Sequence, residues 1–293
     1  MCPICKSEDF IFVGNPFINA KAEKVIRKDY KVVKCLNCSF YFVNPLIELG
    51  ESDWKYLYDS TYFGEKSSWY SKKRKIDSKK RIEHATSLTS NKIENFLDIG
   101  CGEGFSLIEA VNRGWNVCGV DITDHRIENA RVKSIKFINS DLINSNLPPD
   151  FFDIIYLDSV LEHVHNPSEY LVEIKRVLRK GGILYVGVPN EDSLFNDIRK
   201  LFYKITKKNV TEKIKPFQLP YHINGFNKNS LSFALRKTGF NIVELRNFAN
   251  RVEFMKVKPF SKEFFQLLII FPIYLLAVPI SREVYLEAYV QKQ

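Results

Sequence analysis

The chain has 293 residues, 45% apolar and 26% charged, enough for one large domain with attachments and a buried core. That composition excludes a wholly disordered protein, and no G-X-Y period suggests collagen. Lys and Arg outnumber Asp and Glu by 43 to 34, a formal charge of +9 that favours anionic partners such as nucleic acid, a phosphorylated substrate or an acidic membrane face.

The chain opens Met1-Cys-Pro-Ile-Cys5, with no basic region leading into an apolar core; no signal peptide is expected, and the setting reads as cytoplasmic. Cys2/Cys5 and Cys35/Cys38 form two C-x-x-C pairs with 29 residues between them, around short β-like runs at 10–13, 30–34 and 40–43. Four thiolates suit tetrahedral zinc, and neither pair opens a helix on a βαβ unit as a redox motif would. Residues 1–45 are therefore expected to form a zinc ribbon ligated by Cys2, Cys5, Cys35 and Cys38. Residues 46–90 read as a helical lid segment rich in aromatic and basic residues. Its stretch from Lys72 to Arg81 holds seven basic residues against Asp77, the pattern of a solvated helix face.

From Asn95 strands and helices alternate: strands over 96–99, 115–120, 135–138, 153–157 and 183–188, and helices over 105–112, 124–133 and 167–178. Continuous apolar strands separated by helices predict parallel βαβ units covered on both faces, a Rossmann-like α/β sheet of seven strands. A basic stretch, 190–228, interrupts this rhythm as an insertion over the carboxyl ends of the strands, within a core spanning 91–250. A helix over 229–237, a strand over 240–245 and a final strand over 284–290 complete it. Residues 251–293 carry that last strand after an apolar run, 264–280, interrupted by Gln266, Pro272 and Pro279. The run is too short and too proline-broken for a membrane span. It reads as an apolar helix and turn packed on the domain or in a dimer contact; shallow insertion into a membrane surface is the alternative that Lys256, Lys258 and Lys262 before it suit.

The chemistry concentrates in Phe96-Leu-Asp-Ile-Gly-Cys-Gly-Glu-Gly-Phe105, a strand ending in a glycine turn that opens a helix. A dinucleotide fingerprint fails, because Phe105 stands where the third glycine of G-x-G-x-x-G belongs. The G-x-G-x-G pattern after Asp98 suits a ligand with a carboxylate and an amine rather than a pyrophosphate. Asp121 ends the next strand, where an acid accepts hydrogen bonds from ribose hydroxyls. Asp141 stands at the end of the third strand, where an adenine amino group can be read.

On these residues, on the strand ending at Asp158 and on Leu178-Arg-Lys-Gly-Gly-Ile-Leu184, residues 95–250 resemble a class I S-adenosylmethionine-dependent methyltransferase. Leu161-Glu-His-Val164 and the stretch from His222 to Phe240 are similar to the group that includes the ubiquinone-pathway O-methyltransferases. The resemblance implies that Gly100, Cys101, Gly102 and Gly104 wrap the methionine part of S-adenosylmethionine. It places Asp121 with Ile122 at the ribose, Asp141 with Leu142 at the adenine, and Asp98, Asp158 and Tyr62 among the cofactor contacts. His163, after the strand over 153–157, and His222, in the basic insertion, are the candidate general bases for a hydroxyl acceptor. In ubiquinone-type relatives Glu-His at this place can hold a divalent metal with an acid four residues before the histidine; Ser159 stands there, so no catalytic metal is expected.

The expected function is methyl transfer to a small molecule or a glycan, a lipid-linked saccharide included. An RNA methyltransferase is the alternative suggested by charge and ribbon. Against it, Asp158-Ser-Val-Leu161 replaces the Asn/Asp-Pro-Pro-aromatic sequence used on base amino groups. A zinc-ribbon binding module on an inactive methyltransferase fold is the third reading, opposed by intact glycines and strand-end acids.

Overall fold

A computed structural model describes all residues except 19, 27–28, 58–67, 133, 207–212, 220–221 and 249–259. In chain order the strands and helices are β1 (Phe10–Ile18), β2 (Lys31–Cys35), β3 (Tyr41–Asn44), α1 (Glu51–Leu57), α2 (Ser68–Ser87), β4 (Asn95–Ile99), α3 (Phe105–Asn112) and β5 (Asn116–Asp121). There follow β6 (Ile135–Asn139), β7 (Phe152–Asp158), α4 (Pro167–Val177), β8 (Leu178–Pro189), α5 (Leu194–Thr206), β9 (Lys213–Leu219) and β10 (Asn224–Gly225). The chain closes with α6 (Lys228–Lys237), β11 (Phe240–Phe248), α7 (Lys262–Ala277) and β12 (Tyr285–Lys292).

The larger sheet has seven strands in the order β11-β12-β8-β7-β4-β5-β6. The β8-β7-β4-β5-β6 part is parallel throughout, and β12 runs antiparallel to both β8 and β11. Alternation along the strands divides the core between the two faces. Leu97, Ile99, Ile155 and Leu184 pack with Leu171 and Ile174 of α4 and Leu231 and Ala234 of α6. Phe96, Ile154, Tyr156 and Tyr185 pack on the other face with Ile82 of α2 and Leu107 and Ala110 of α3.

Helix ends follow local chemistry. Asn166 accepts from the Glu169 amide ahead of Pro167, and Asn227 and Ser230 form a reciprocal capping box at α6. Among the described residues of 124–133 the expected helix is absent, and a 3-10 turn, Glu128–Ala130, stands in its place. Arg126 and Arg131 instead bond Asp124 and nearby carbonyls (Ala130 O, Arg126 O), so side chains compete with the helical ladder. Strand β8 also starts earlier than expected, directly after α4 at Leu178, with Gly181 and Gly182 inside it.

The smaller sheet has five strands in the order β10-β3-β2-β1-β9. Strands from residues 1–45 and from the basic stretch 190–228 thus belong to one sheet: β9 pairs parallel with β1, and β10 pairs antiparallel with β3. This sheet packs on the larger one. Cys2, Ile4, Cys35, Cys38, Phe40 and Phe42 share one buried cluster with Leu184, Phe226 and Leu231. Lys237 of α6 and Ser168 of α4 bond the carbonyls of Ile4 (2.8 Å) and Pro3 (3.0 Å). No helix among the described residues is long and apolar enough to cross a membrane.

Candidate active site

Strand β4 runs into a turn in which Gly100, Gly102 and Gly104 all take left-handed backbone angles (φ 69°, 48° and 79°). A Cβ on Gly100 would lie 2.5 Å from a methyl of Val160, and one on Gly104 2.6 Å from the Ala130 methyl, so both positions require glycine for angle and for space. Gly102 differs: its missing side chain faces open space. The turn therefore presents bare backbone outward, at the N-terminus of α3.

Asp121, at the end of β5, accepts from the Gly102 amide (2.9 Å) and the Thr123 amide (3.2 Å). Burial raises its carboxyl above the ordinary range against these two donors. Ile122 beside it is exposed. Asp98 is buried, accepts from the Ser106 hydroxyl, and is pushed well above the usual carboxylate range by burial. Asp141 accepts from the Asn144 amide (2.8 Å) and side chain (2.9 Å), which fixes the turn after β6; Leu142 next to it is fully buried. Cys101 is buried, and its sulfur lies 3.2 Å from where a Cβ on Gly119 would stand. Tyr62 lies outside the described residues.

Asp158 ends β7 but is engaged by protein groups. Arg81 of α2 reaches it at 2.7 Å and Glu287 of β12 at 2.7 Å, while the Tyr285 hydroxyl donates to Asp158 at 2.6 Å. Arg246 holds the other oxygen of Glu287 at 3.0 Å. Arg81 is 8% exposed and Glu287 0%, so the stretch 72–81 is not wholly a solvated face. Neighbouring Asp158 and the tyrosine hydroxyls outweigh burial and hold the guanidinium charged, its pKa well above its ordinary value.

The turn after β7 brings the candidate bases together. Val160 touches Gly100, and two residues on, Glu162 and His163 meet His222. The His163 and His222 rings are 4.7 Å apart and near perpendicular, and Glu162 Oε1 is 4.0 Å from His163 Nε2. Glu162 is 2% exposed, and burial pushes its carboxyl up to about 8. Its Oε2 has no hydrogen-bond partner among the described residues. The Ser159 hydroxyl lies 2.7 Å from the Tyr285 hydroxyl and also bonds the Glu162 side chain, but it offers no carboxylate to this cluster. His222 instead completes three donor atoms within 4.8 Å of one another, a set whose chemistry also suits a divalent cation and which the Ser159 substitution had not led us to expect.

At the other site the four cysteine sulfurs lie within 4.8 Å of one another, Cys2 3.6 Å from Cys38 and Cys5 3.4 Å from Cys35. Four sulfurs about 2.3 Å from a tetrahedral zinc would stand roughly 3.8 Å apart, so the donor set fits that ion.

A family profile described as a methyltransferase domain matches residues 70–245. The chain belongs to the class I S-adenosylmethionine-dependent methyltransferase family. Among relatives of this methyltransferase chain, an uncharacterised 37.1 kDa protein of a Streptomyces fradiae transposon is 35% identical over 41% of this chain and 38% of its own length. The ubiquinone biosynthesis O-methyltransferase of Dechloromonas aromatica is 28% identical over 38% of this chain and 50% of its own. The chain thus spans half or less of these two relatives. The crystal structure of Burkholderia thailandensis 1,6-didemethyltoxoflavin-N1-methyltransferase, with 1,6-didemethyltoxoflavin and S-adenosylhomocysteine bound, matches with a TM-score of 0.54 and 14% identity. That match covers 92% of this chain and 97% of the other, and shows a shared fold.

Proposed function

We propose that this chain transfers a methyl group from S-adenosylmethionine to a hydroxyl of a small molecule or glycan. The convergence of Glu162, His163 and His222 beside the glycine turn carries this reading. The turn fits the cofactor's methionine end: Gly102 offers open backbone, and a ligand ammonium near Asp98 would favour the charged form of a carboxyl that burial disfavours. Asp121 with Ile122 would meet the ribose, and Asp141 with Leu142 the adenine side. When bound, the sulfonium supplies an already activated methyl group. The protein's task is to align the acceptor oxygen, exclude water and take up a proton. As the oxygen–methyl bond forms, the hydroxyl proton passes to an imidazole nitrogen of His163, with His222 as the second base.

The commitment of Asp158 to Arg81 and Tyr285 supports this reading over methylation of a nucleobase amino group, which draws on an acid at that place. The same end of the sheet carries the small five-stranded sheet, where we place a structural zinc ion among Cys2, Cys5, Cys35 and Cys38.

We further place the protein in the cytoplasm with peripheral contact to membrane. Leu268, Leu275, Leu276 and Ile280 on and just beyond α7 are exposed, and Lys256, Lys258 and Lys262 precede them in sequence. This suits an acceptor that is a lipid-linked saccharide. Incubation with methyl-labelled cofactor and cell extract tests the reading. Label is expected in a nuclease-resistant small-molecule, glycan or lipid-linked fraction, and label in RNA would overturn it. In that extract the protein is expected in the membrane pellet at low salt and in the supernatant after high salt and alkaline carbonate. Retention through both would show a deeper attachment than a surface helix provides.

A further inference from the structure

We propose that Asn224 is a positioning residue through which the four-cysteine site sets the geometry of the Glu162–His163–His222 cluster. The inference rests on the proposed function only for the cluster's role, not for its placement.

The link is continuous. The second cysteine pair sits in a tight turn, with the Cys35 amide donating to Phe40 O (2.8 Å) and the Ser39 amide to Cys35 O (3.0 Å). Strand β3 leaves this turn directly, and β10 pairs with it, Asn224 opposite Phe42 and Gly225 opposite Tyr41. The Val43 amide adds a bond to Ile223 O (2.9 Å). From there Asn224, 4% exposed, spends both hydrogens of its side-chain amide on the next loop, donating to Leu161 O (3.1 Å) and Val164 O (2.5 Å). The backbone amides of Ile223 and Asn224 both donate to Glu162 O (2.9 and 3.1 Å). Four hydrogen bonds from Ile223 and Asn224 thus clamp the Leu161-Glu-His-Val164 turn. His222, two residues before Asn224, lies on the segment that leads into β10.

A second strut runs parallel to the first. Asn227 donates to Ser39 O (3.1 Å), between Cys38 and Phe40, and Phe40 packs edge-on against Phe226 at 4.9 Å. His165, just after the clamped turn, bonds Ile47 O at 2.9 Å. Both sides of the reaction cluster therefore hang on the strand that continues from Cys35 and Cys38. A buried side-chain amide that satisfies two carbonyls specifies one arrangement, because losing it leaves those carbonyls unpaired.

Metal occupancy matters to this clamp because the four sulfurs close the knuckle from which β3 starts. With the thiolates unligated, β3 and β10 lose their anchor, and the His163–His222 contact loosens before the glycine turn is disturbed.

The test uses the full chain with its metal, in wild-type form, as Asn224→Ser, and after release of zinc from the thiolates by an organomercurial, which spares a cation held by carboxylate and imidazole; the released zinc is followed by a colorimetric chelator. Proton NMR of the imidazole Cε1–H signals reads the cluster, His163 and His222 being assigned by their glutamine variants. Hydrogen exchange of the amides of 161–164 reads the clamp, and calorimetry with S-adenosylhomocysteine reads the cofactor site. Asn224→Ser and metal removal are both expected to shift the same two imidazole signals and speed exchange at 161–164 at least tenfold. S-adenosylhomocysteine affinity should change less than threefold. If the chain turns over, kcat should fall at least tenfold with KM for the cofactor little changed. Unmoved His163 and His222 signals in the stripped protein would overturn the proposal, whatever the fate of the variant. Loss of turnover with unmoved signals would overturn it equally. Shifted signals in a chain without hydroxyl-directed activity would sustain the coupling and count against the proposed function alone.

Discussion

Replacing His163 by alanine is expected to lower turnover by roughly 10²–10⁴ with cofactor binding nearly intact. A hydroxyl is a poor nucleophile while it keeps its proton, and an imidazole titrating near neutrality is the side chain best matched to removing it. His163 is held in the turn after β7, its ring 4.7 Å from that of His222. His222→Ala is expected to cost less, because His163 is also flanked by Glu162. Single-turnover rates with a purified acceptor check both. If neither substitution slows methyl transfer, the acceptor is a carbon or nitrogen that needs no such base.

Arg81→Ala is expected to destabilise the protein by about 3–5 kcal/mol, the range for removing one partner of a buried ion network. The change strips Asp158 of its 2.7 Å partner and leaves Glu287, fully buried, with Arg246 as its cation and the Tyr185 hydroxyl as a long hydrogen bond. Arg81→Met with Glu287→Leu, which withdraws both charges, should recover part of the loss. Denaturant midpoints of the single and double variants measure this; a single variant within 1 kcal/mol of wild type would show that solvent already screens the network.

Arg81 also marks where the sequence stopped being readable. Seven basic residues in ten look like a solvated helix face, yet this one is 8% exposed because its partners come from 77 and 206 residues further along. Charge patterning reports neighbours at helical spacing and is blind to partners of that separation. The parallel sheet and its glycine turn were legible for the opposite reason. Apolar runs, strand-end acids and left-handed glycines are local signals, and α3 forms over the expected span. The 3-10 turn in place of a helix at 124–133 was not legible, since Arg126 and Arg131 satisfy Asp124 and backbone carbonyls that an amphipathic pattern assigns to the ladder.

At the site, the sequence pointed to His163 and His222 separately but not to their meeting, which depends on β10 pairing with β3. Asn224 carries no signal of its own; only the hydrogen bonds from its amide reveal its role. The pairing of β9 with β1, joining the basic stretch 190–228 to the N-terminal strands, was hidden likewise. Strand partners some 200 residues apart leave no periodic trace in either segment.

The turn from Gly100 to Gly104, with Asp121 opposite Gly102, is expected to hold S-adenosylmethionine. Calorimetric titration of the wild-type chain and of Asp121→Ala with S-adenosylmethionine tests it most directly. The wild type should bind one equivalent. The variant should lose about 1–3 kcal/mol, roughly 5- to 150-fold in affinity, through the missing charged hydrogen bonds to the ribose. No binding by the folded wild type, or an affinity unchanged in Asp121→Ala, would show that the cofactor is not held at this turn.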